Sequence, residues 1–470
     1  MATALQFVAF FHYGLLIMGK SRRSRSRIDT TPKQTTIRSL AHDGRGVGQD
    51  PEGKVVFVDG ALPGETVMYQ EVMQRKHHLF ARTLEVLTPS EHRVDPRCPV
   101  FGQCGGCVLQ HLHPERQIHY KEQQLKENFS KIGHVSPEEW APPLTLDSWG
   151  YRRRARLGIK YVPKKGGVII GFRERYSSFI QPIDHCEVLL PSVSALVVPL
   201  RACLEGISCN DQIPQVEVSV ADNAVVLVLR HLQPFTQVDL DALTEFAQQQ
   251  DVQLFLQPGK LNSVHPLWPV SPEPLYYELA AQSIRVEFLP TDFIQVNGDI
   301  NQAMVARAIE WLDINEQDDV LDLFSGVGNF TLPLARSARS VVGVEGERSL
   351  VERALANAER NGCDNIEFYV GNLFEPDMTA DSHGDWLQRR YQKILLDPPR
   401  SGAAEMIQRL PEFAPERIVY VSCGPATLAR DAGVLVNELG YTFEKAGVID
   451  MFPHTAHVES IALFTKAEPS

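Results

Sequence analysis

The chain has 470 residues, 43% of them hydrophobic, and a net charge of −12 at pH 7. This length exceeds what one hydrophobic core usually supports, so we expect two or three domains, and the ordinary apolar fraction excludes a disordered chain. Eight cysteines are too few for a disulfide-stapled secreted scaffold, so we expect a cytoplasmic protein. The negative net charge argues against broad adhesion to nucleic acid, so any binding of a polyanion is expected at selected faces only.

The first segment, Ala2 to Gly19, contains no Asp, Glu, Lys or Arg and has a borderline length for a membrane span. A secretory signal normally begins with a basic region and ends in small residues, and neither is visible here. We therefore interpret residues 1–27 as an extension that is disordered or reflects a misassigned start. No stable membrane association is expected.

Short apolar runs separated by Gly, Asp and Pro follow in residues 28–89: "TIRSLAHDGRGVGQ", "GKVVFVDGALPGETV" and "LFARTLEVLT". Runs of this length between turn residues are typical of short strands. They predict a small, OB-like N-terminal β-barrel, a fold that often binds nucleic acid.

Three cysteines then fall within ten residues of the segment "RCPVFGQCGGCVLQH", namely Cys98, Cys104 and Cys107. Three thiol ligands in one loop need a fourth, and either zinc or an iron–sulfur cluster would complete the set. Spacing alone leaves three residues open as the fourth ligand: Cys186, Cys203 and Cys209.

The segment "HPERQIHYKEQQLKENFSKIG" begins near a proline, ends at a glycine and predicts an amphipathic helix. Beyond it, Trp149 to Arg285 is strand-rich, with one helix expected from Leu240 to Gln250. Residues 90–290 are therefore predicted to form a central, strand-rich α+β domain. Its basic run, Tyr151 to Arg156, suits a polyanion or a solvated surface equally.

From Asn301 onward, strands alternate with helices. The predicted helices are "QAMVARAIEWLDI", "GNFTLPLARSA" and "RSLVERALANAERNG", and the predicted strands are "DDVLDLF", "SVVGVE", "NIEFYVGN", "KILL" and "RIVYVS". This alternation indicates a doubly wound, mostly parallel sheet, so residues 291–470 are expected to form a Rossmann-like α/β domain. Ligands of such sheets bind at the carboxyl ends of the strands.

The predicted strand ends carry polar residues suited to one adenosine. Gly326 and Gly328 allow a tight turn close to a ligand, and Glu345, nineteen residues after Gly326, can bind two ribose hydroxyls. Asn372 can reach the adenine, and Asp397 adds an acidic wall. We interpret this set as a site for S-adenosylmethionine, because a cationic sulfonium needs acidic and apolar walls rather than a pyrophosphate cradle.

Cys423 ends an apolar strand and precedes a helix, a position where the helix dipole favours a thiolate nucleophile. A buried structural thiol is the alternative interpretation. Glu459, with His457 nearby, stands where the last apolar strand begins. In the reaction we infer, the thiolate adds to C6 of uracil, C5 attacks the sulfonium methyl, and Glu459 removes the C5 proton. The target nucleotide must leave its stack to reach such a pocket.

From Ile28 to Lys466 the chain resembles the bacterial RNA (uracil-5-)-methyltransferases of the 23S rRNA type. The motifs that carry the resemblance are "DGRGVG", "GALPGE", "CPVFGQCGGCVLQH", "VLDLFSGVGNFTLPLA", "LLDPPRSGA", "VSCGPATLARD" and "HVESIALF". The resemblance implies a TRAM barrel that binds RNA, a central domain with a [4Fe–4S] cluster, and a C-terminal methyltransferase domain that acts on 23S rRNA, with the uridine at position 1939 as the expected target.

The resemblance also assigns site residues, with Cys423 as the nucleophile and Glu459 as the general base. It implies an S-adenosylmethionine site formed by Gln295, Phe324, Asn329, Glu345, Asn372 and Asp397. It selects Cys98, Cys104, Cys107 and Cys186 as ligands of the iron–sulfur cluster, which leaves Cys203, Cys209 and Cys363 as structural thiols. We expect a monomer.

Four alternatives remain open from the sequence. The target could be another rRNA uridine or a tRNA uridine. A radical S-adenosylmethionine enzyme would also combine a cluster with this cofactor, but its cysteine triplet is spaced differently from Cys-x5-Cys-x2-Cys and Cys423 would have no role. A non-catalytic RNA-binding assembly factor would not need Cys423 and Glu459. An amino-methyltransferase would prefer the tetrad Asn-Pro-Pro-aromatic over Asp-Pro-Pro-Arg, which begins here at Asp397.

Overall fold

The computed structural model describes residues 29–375 and 384–466, so the extension predicted at residues 1–27 lies outside the described part of the chain. Within those ranges, no helix is long and apolar enough to cross a lipid bilayer. The described strands form three larger sheets, of six, seven and eight strands, and one two-stranded hairpin.

Six strands form the N-terminal sheet. They are β1 (Lys33–Thr36), β2 (Ser39–Leu40), β3 (Gly46–Gln49), β4 (Val55–Asp59), β5 (Thr66–Gln74) and β6 (His78–Thr88). Their order is β1-β5-β6-β4-β3-β2; β4 and β6 pair in parallel and the other neighbours are antiparallel. Alternate residues such as Val56, Val58, Val67 and Tyr69 form its apolar core, which is the period expected of half-buried strands.

Helix α1 (Pro114–Asn128) follows the cysteine-rich loop and begins at a proline, as predicted. Its buried side chains include Lys121 and Leu125, and Leu125 joins the apolar cluster of the C-terminal sheet. The short strand β7 (Glu139–Trp140) pairs into that same sheet. Residues 114–140 thus pack on the C-terminal sheet, although the sequence analysis grouped them with the central domain.

The second sheet has seven strands. They are β8 (Arg154–Val162), β9 (Gly167–Arg173), β10 (Ile180–Pro182), β11 (Gln215–Val220), β12 (Val225–Arg230), β13 (Val252–Gln257) and β14 (His265–Trp268). The order is β10-β9-β8-β11-β12-β13-β14, and the parallel pair β12 and β13 is joined through a helix.

The helices beside the second sheet are α2 (Pro191–Ser194), α3 (Val197–Glu205) and α4 (Gln237–Gln249). Helix α4 confirms the predicted helix and starts with a capping box between Thr236 and Asp239. The expectation of a single helix here is wrong, because α3 is also present. Pro199 in its first turn and the β-branched pair Val197 and Val198 hide this helix from local propensity.

A hairpin of β15 (Leu275–Leu279) and β16 (Ile284–Phe288) leads into the C-terminal sheet. The further strands of that sheet are β17 (Asp319–Leu323), β18 (Ser340–Glu345), β19 (Ile366–Val370), β20 (Lys393–Leu396), β21 (Arg417–Ser422), β22 (Tyr441–Ile449) and β23 (Glu459–Lys466). The order is β19-β18-β17-β20-β21-β23-β22-β7. The five strands from β19 to β21 are mutually parallel, as predicted, whereas β23 is antiparallel to both of its neighbours.

The helices of this region are α5 (Gly298–Leu312), α6 (Thr331–Leu334), α7 (Arg348–Arg360), α8 (Ala404–Phe413) and α9 (Pro425–Asn437). The helix predicted from "GNFTLPLARSA" is wrong in length, since α6 covers only four residues. Pro333 lacks a backbone N–H, and Gly328 before the helix has a φ of +98°, so the segment favours turns on both sides of α6.

Both faces of the C-terminal sheet are covered. Val320 and Val341 pack into one apolar cluster, while their neighbours Leu321 and Val342 pack into another on the opposite face. A sheet that is buried on both faces can receive a polar ligand only at an edge, where the strands end.

Candidate functional site

The carboxyl ends of the parallel strands lie along one edge of the C-terminal sheet. Asp397 directly follows β20, whose last residue, Leu396, pairs with Tyr420 of β21. Cys423 directly follows β21, whose last residue, Ser422, pairs with Ser460 of β23.

Glu459 is the first residue of β23 and directly precedes Ser460. Because Ser460 pairs with Ser422, which directly precedes Cys423, Glu459 and Cys423 lie beside each other. The antiparallel direction of β23 brings its amino end to the edge where the parallel strands end. The structure thus brings together Cys423, Glu459 and Asp397, which are 26 or more residues apart in the sequence.

The surroundings of these three groups raise the pKa of each of them. Burial raises the pKa of Asp397 to about 7. Burial, together with the charge of Asp397, raises the pKa of Glu459 to about 8, against the opposing effect of two cations, Arg400 and Lys121. Carboxyl groups with such values can exchange protons near neutral pH.

The expectation that the helix start favours a thiolate at Cys423 is wrong for the protein without ligands. Burial and the nearby charges of Glu459 and Asp397 raise the pKa of the thiol to about 12, although Arg400 acts in the opposite direction. Desolvation of a thiolate between two carboxyl groups outweighs the local dipole. Cys423 is thus held as a neutral thiol.

Arg400 and His457 form a contact that sequence reasoning did not identify. The guanidinium Nη2 of Arg400 lies 2.6 Å from Nδ1 of His457, which must accept because arginine carries only donors. Desolvation and the charge of Arg400 lower the pKa of His457 to about 4, so this imidazole is neutral. The signal was present in the sequence, since Arg400 follows Asp397-Pro-Pro directly.

The glycine turn after β17 is tied to the end of β18. Gly326 has a φ of +56°, and its N–H donates to Oε2 of Glu345 over 3.1 Å. The N–H of Glu347 donates to Oε1 of the same carboxylate over 3.0 Å. Burial raises the pKa of Glu345. A Cβ at Gly326 would meet no atom within 4 Å, so the space above this turn is open to a ligand.

Two further predicted residues lie at the same edge. Phe324 follows β17 with a φ of +69°, and its ring is 5.6 Å from the ring of Phe374. Asn372, beyond β19, is exposed and its Nδ2 donates to Oε1 of Glu375 over 2.9 Å. Like Glu345, they directly follow strands of this sheet or lie within two residues of a strand end.

The hydrogen bonds of Gln295 and Asn329 go to residues outside this edge of the sheet. Gln295 precedes α5, and its backbone carbonyl accepts from Nε of Arg153 over 3.2 Å. The amide of Asn329 accepts from the hydroxyl of Tyr277 over 2.8 Å and exchanges two hydrogen bonds with Asn301 over 2.9 and 3.0 Å. Much of the hydrogen-bonding capacity of Asn329 therefore joins the glycine turn to the hairpin and α5.

Asp322 is a buried acid that sequence reasoning missed. It lies inside β17, is 1% exposed, and its Oδ2 accepts from the hydroxyl of Thr331 over 2.5 Å. Burial raises the pKa of Asp322 to about 8. The signal is the acidic residue inside "VLDLF", where the run of apolar residues is otherwise unbroken.

The predicted cluster ligands also meet in space. One cavity of about 30 Å³ is lined by Cys98, Cys104, Cys107 and Cys186. The other thiols lie elsewhere: Cys209 and Cys203 pack with the central core, and Cys363 packs on the C-terminal sheet.

The four thiols around the cavity are in their neutral forms. Burial raises the pKa of Cys107 to about 12 and that of Cys104 to about 11, and it also raises the pKa of Cys98 and Cys186. In residues 29–375 and 384–466, no group of three or more His, Cys, Asp or Glu side chains is arranged to hold a metal ion. The donor set nevertheless suits a thiophilic metal centre, because four thiols face one cavity and would bind with loss of their protons.

Comparison with known proteins gives concordant results. Residues 275–467 match the family model described as tRNA (Uracil-5-)-methyltransferase. The chain is 51% identical over 447 residues to the 23S rRNA (uracil(1939)-C(5))-methyltransferase RlmD of Xanthomonas campestris pv. campestris (strain 8004), covering 94% of this chain and 99% of that protein. The RlmD protein of Stenotrophomonas maltophilia (strain R551-3) is 49% identical with the same coverage.

Among solved structures, the chain is similar to the Pyrococcus abyssi tRNA (uracil-54, C5)-methyltransferase in complex with S-adenosyl-L-homocysteine. The TM-score is 0.71 at 25% sequence identity, and the match covers 92% of this chain and 100% of that one. The similarity thus extends over nearly the full length of both proteins, beyond the C-terminal sheet alone.

Proposed function

Since the chain belongs to the RNA (uracil-5-)-methyltransferase family, we propose that it transfers the methyl group of S-adenosylmethionine to C5 of a uridine in 23S rRNA. The uridine at position 1939, named for the 51% identical relative, is the proposed target. The observation that carries the proposal is the strand pairing that sets Cys423 beside Glu459.

In the proposed reaction, Sγ of Cys423 bonds to C6 of the uracil and its proton passes to water, while the electrons of the C5–C6 double bond make C5 nucleophilic. S-adenosylmethionine would supply an electrophilic methyl group: C5 bonds to that carbon as its bond to sulfur breaks, and S-adenosylhomocysteine leaves. Glu459 then takes the proton from C5, the C5–C6 double bond re-forms, and the C6–S bond breaks. The pKa of Glu459, raised to about 8 by burial, suits a group that gains a proton in one step and loses it in the next.

The cofactor site follows from the open edge of the sheet. We assign the ribose hydroxyls to Glu345, whose two oxygens are already oriented by backbone N–H groups, and the adenine to Asn372. Asp397 supplies the acidic wall next to Cys423. The remaining proposed contacts come from Gln295, Phe324 and Asn329.

We assign RNA binding to the N-terminal sheet, as a TRAM barrel of residues 28–89 preceding a central domain at 90–290 and a methyltransferase domain at 291–470. Supporting this, a groove of about 470 Å³ is lined mainly by basic and aromatic side chains: Arg45, Met73, Arg75, Lys76, His77, His78 and Phe80. The rings of Phe57 and Phe80 are stacked 5.6 Å apart. Cations beside partly exposed aromatic rings suit unpaired nucleotides.

We further propose that Cys98, Cys104, Cys107 and Cys186 hold a [4Fe–4S] cluster, because these four thiols line one cavity. The proposed cluster takes no part in the methyl transfer and organises the central domain. Protein prepared without oxygen should be brown and contain about four irons per chain. Stoichiometric zinc without iron would overturn this assignment.

The test of the function is methyl transfer from labelled S-adenosylmethionine to a 23S rRNA fragment that contains U1939 and to tRNA, followed by mapping of 5-methyluridine. We expect activity on the 23S rRNA fragment and its loss in Cys423→Ala, while Cys203→Ala, a thiol outside the site, serves as the matched control. Full activity of Cys423→Ala would refute the proposal.

A tRNA uridine is the second candidate target. It is favoured by the family description and by the structural similarity to a tRNA methyltransferase at 25% identity. The twofold higher identity to 23S rRNA methyltransferases favours rRNA. Modified tRNA with unmodified rRNA in the same assay would select the second candidate.

A further inference from the structure

A lysine of α1 is buried without access to water. Lys121 is 0% exposed, and its ammonium donates to Oδ1 of Asp450 over 2.6 Å and to the backbone carbonyl of Phe452 over 2.9 Å. Burial of an ammonium carries a desolvation cost that its hydrogen-bond partners must offset.

The two partners of Lys121 belong to the segment that carries the proposed base. Ile449, the last residue of β22, pairs with Glu459, the first residue of β23. Asp450 and Phe452 follow Ile449 at once, so residues 450–458 form the connection that closes this strand pair. Lys121 therefore holds the connection at the point where it leaves the sheet beside Glu459.

A second residue of α1 holds the far side of the same connection. Gln117, four residues before Lys121 and thus on the same face of the helix, accepts from the N–H of His454 over 3.0 Å. The carbonyl of His454 accepts from the N–H groups of Val108 and Leu109 over 2.9 and 3.0 Å. His454 has a φ of +64° and is 1% exposed, a conformation that is kept only when its surroundings determine it.

From this arrangement we propose that Lys121 is a positioning residue for the last step of methyl transfer, because it fixes the connection that places Glu459 against the C5 proton. The inference rests on the proposed function and adds a residue from outside the methyltransferase sheet to it. Helix α1 is supplied by the segment that directly follows the cysteine-rich loop, and through Lys121 and Gln117 it contacts the connection that carries Glu459.

Burial lowers the pKa of Lys121, and the charge of Asp450 opposes this effect; in its ammonium form Lys121 also acts on Glu459. The charged and titratable groups that face Glu459 are Asp397 beyond β20, Arg400 beyond Asp397, Cys423 beyond β21 and Lys121 of α1. Burial and Asp397 raise the pKa of Glu459, whereas Arg400 and Lys121 lower it. Loss of the ammonium therefore raises this pKa further and keeps the base protonated to higher pH.

The test uses the full-length protein and a 23S rRNA fragment, and follows the breakdown of the covalent protein–RNA adduct on denaturing gels across pH 6 to 9.5. Lys121→Met removes the charge but leaves Asp450 buried and unpaired, so Lys121→Met/Asp450→Asn is the second variant, in which neither buried charge remains. Lys131→Met is the matched control, since the side chain of Lys131 is 71% exposed and pairs with Glu127 in solvent.

We expect both Lys121 variants to bind S-adenosylmethionine as the wild type does and to form the adduct. Breakdown of the adduct should be slower by about tenfold at pH 7, with its pH midpoint moved upward, because a misplaced and protonated base removes the C5 proton poorly. Lys131→Met should match the wild type.

Two outcomes separate this inference from the proposed function. If the wild type is active and the folded double variant breaks down the adduct at an unchanged rate and with an unchanged pH midpoint, the role of Lys121 is overturned and the proposed function stands. A wild type that forms no adduct with RNA would instead overturn the proposed function.

Discussion

Replacement of Glu459 by glutamine is expected to separate the two halves of the reaction. Glutamine has nearly the same size, but its amide cannot take up the C5 proton. Cys423 still adds to C6 and the methyl group is still transferred, because neither step uses the carboxylate as a proton acceptor. The methylated RNA then stays attached to the protein, and the adduct accumulates.

The size of the pH effect follows from the environment of Glu459. Burial, with the nearby charge of Asp397, raises its pKa to about 8. A carboxyl group with that value is about 9% ionised at pH 7, half ionised at pH 8 and about 90% ionised at pH 9. Since only the ionised form takes the proton, wild-type release should become about fivefold faster from pH 7 to 8 and about tenfold faster from pH 7 to 9.

The assay is a single-turnover experiment with end-labelled RNA, quenched in denaturant at a series of times and resolved on gels. Glu438→Gln, an exposed change at the end of α9, controls for the loss of a carboxylate as such. Release that does not depend on pH in the wild type, or that is equally fast in Glu459→Gln, would refute the role of this base.

Three further outcomes are expected. Asp322→Asn should flatten the dependence of stability on pH. Burial raises the pKa of Asp322 to about 8, well above the ordinary range of an aspartate, so the folded wild type holds a proton that the unfolded chain loses. The stability of the wild type should therefore fall by about 1.4 kcal/mol per pH unit across that window, as thermal unfolding at pH 5 and 8 would show. Phe80→Ala should weaken RNA binding by about 1–3 kcal/mol through lost base stacking, measured by titration at fixed salt, with no change in affinity for S-adenosylmethionine. Cys104→Ser should lower the iron content per chain, while Cys203→Ser should not; equal iron in both would contradict the assignment of the cavity.

Much of the C-terminal sheet could be predicted from the sequence, because parallel strands buried on both faces leave long apolar runs. "SVVGVE" is found as β18, with its bounds unchanged, and "RIVYVS" as β21. Because the prediction relies on such local patterns, it missed elements that have none. Helix α3 and strand β22 lack a strong local pattern and are stabilised by the core they join, in which Leu200 and Phe443 are buried.

The candidate site was predictable as a set of residue types at strand ends, since any chain with this alternation brings those ends to one edge. The sequence could not show that the side chain of Asn329 is hydrogen-bonded to Tyr277 and Asn301, or that Arg400 contacts His457. These contacts join segments that are 28 to 57 residues apart, and no local rule encodes such pairings.

By itself, the sequence determined the five parallel strands of the C-terminal sheet, the acids and the cysteine at the strand ends, and the cysteine-rich loop, because each of these depends on near neighbours in the chain. Only the tertiary structure decided the protonation of the site. Burial beside two carboxyl groups turned the expected thiolate of Cys423 into a thiol with a pKa of about 12. It also decided that Lys121, more than 300 residues away in sequence, lies beside the turn that carries Glu459. Desolvation and charge depend on what surrounds a group in space, and the chain supplies those surroundings only when it is folded.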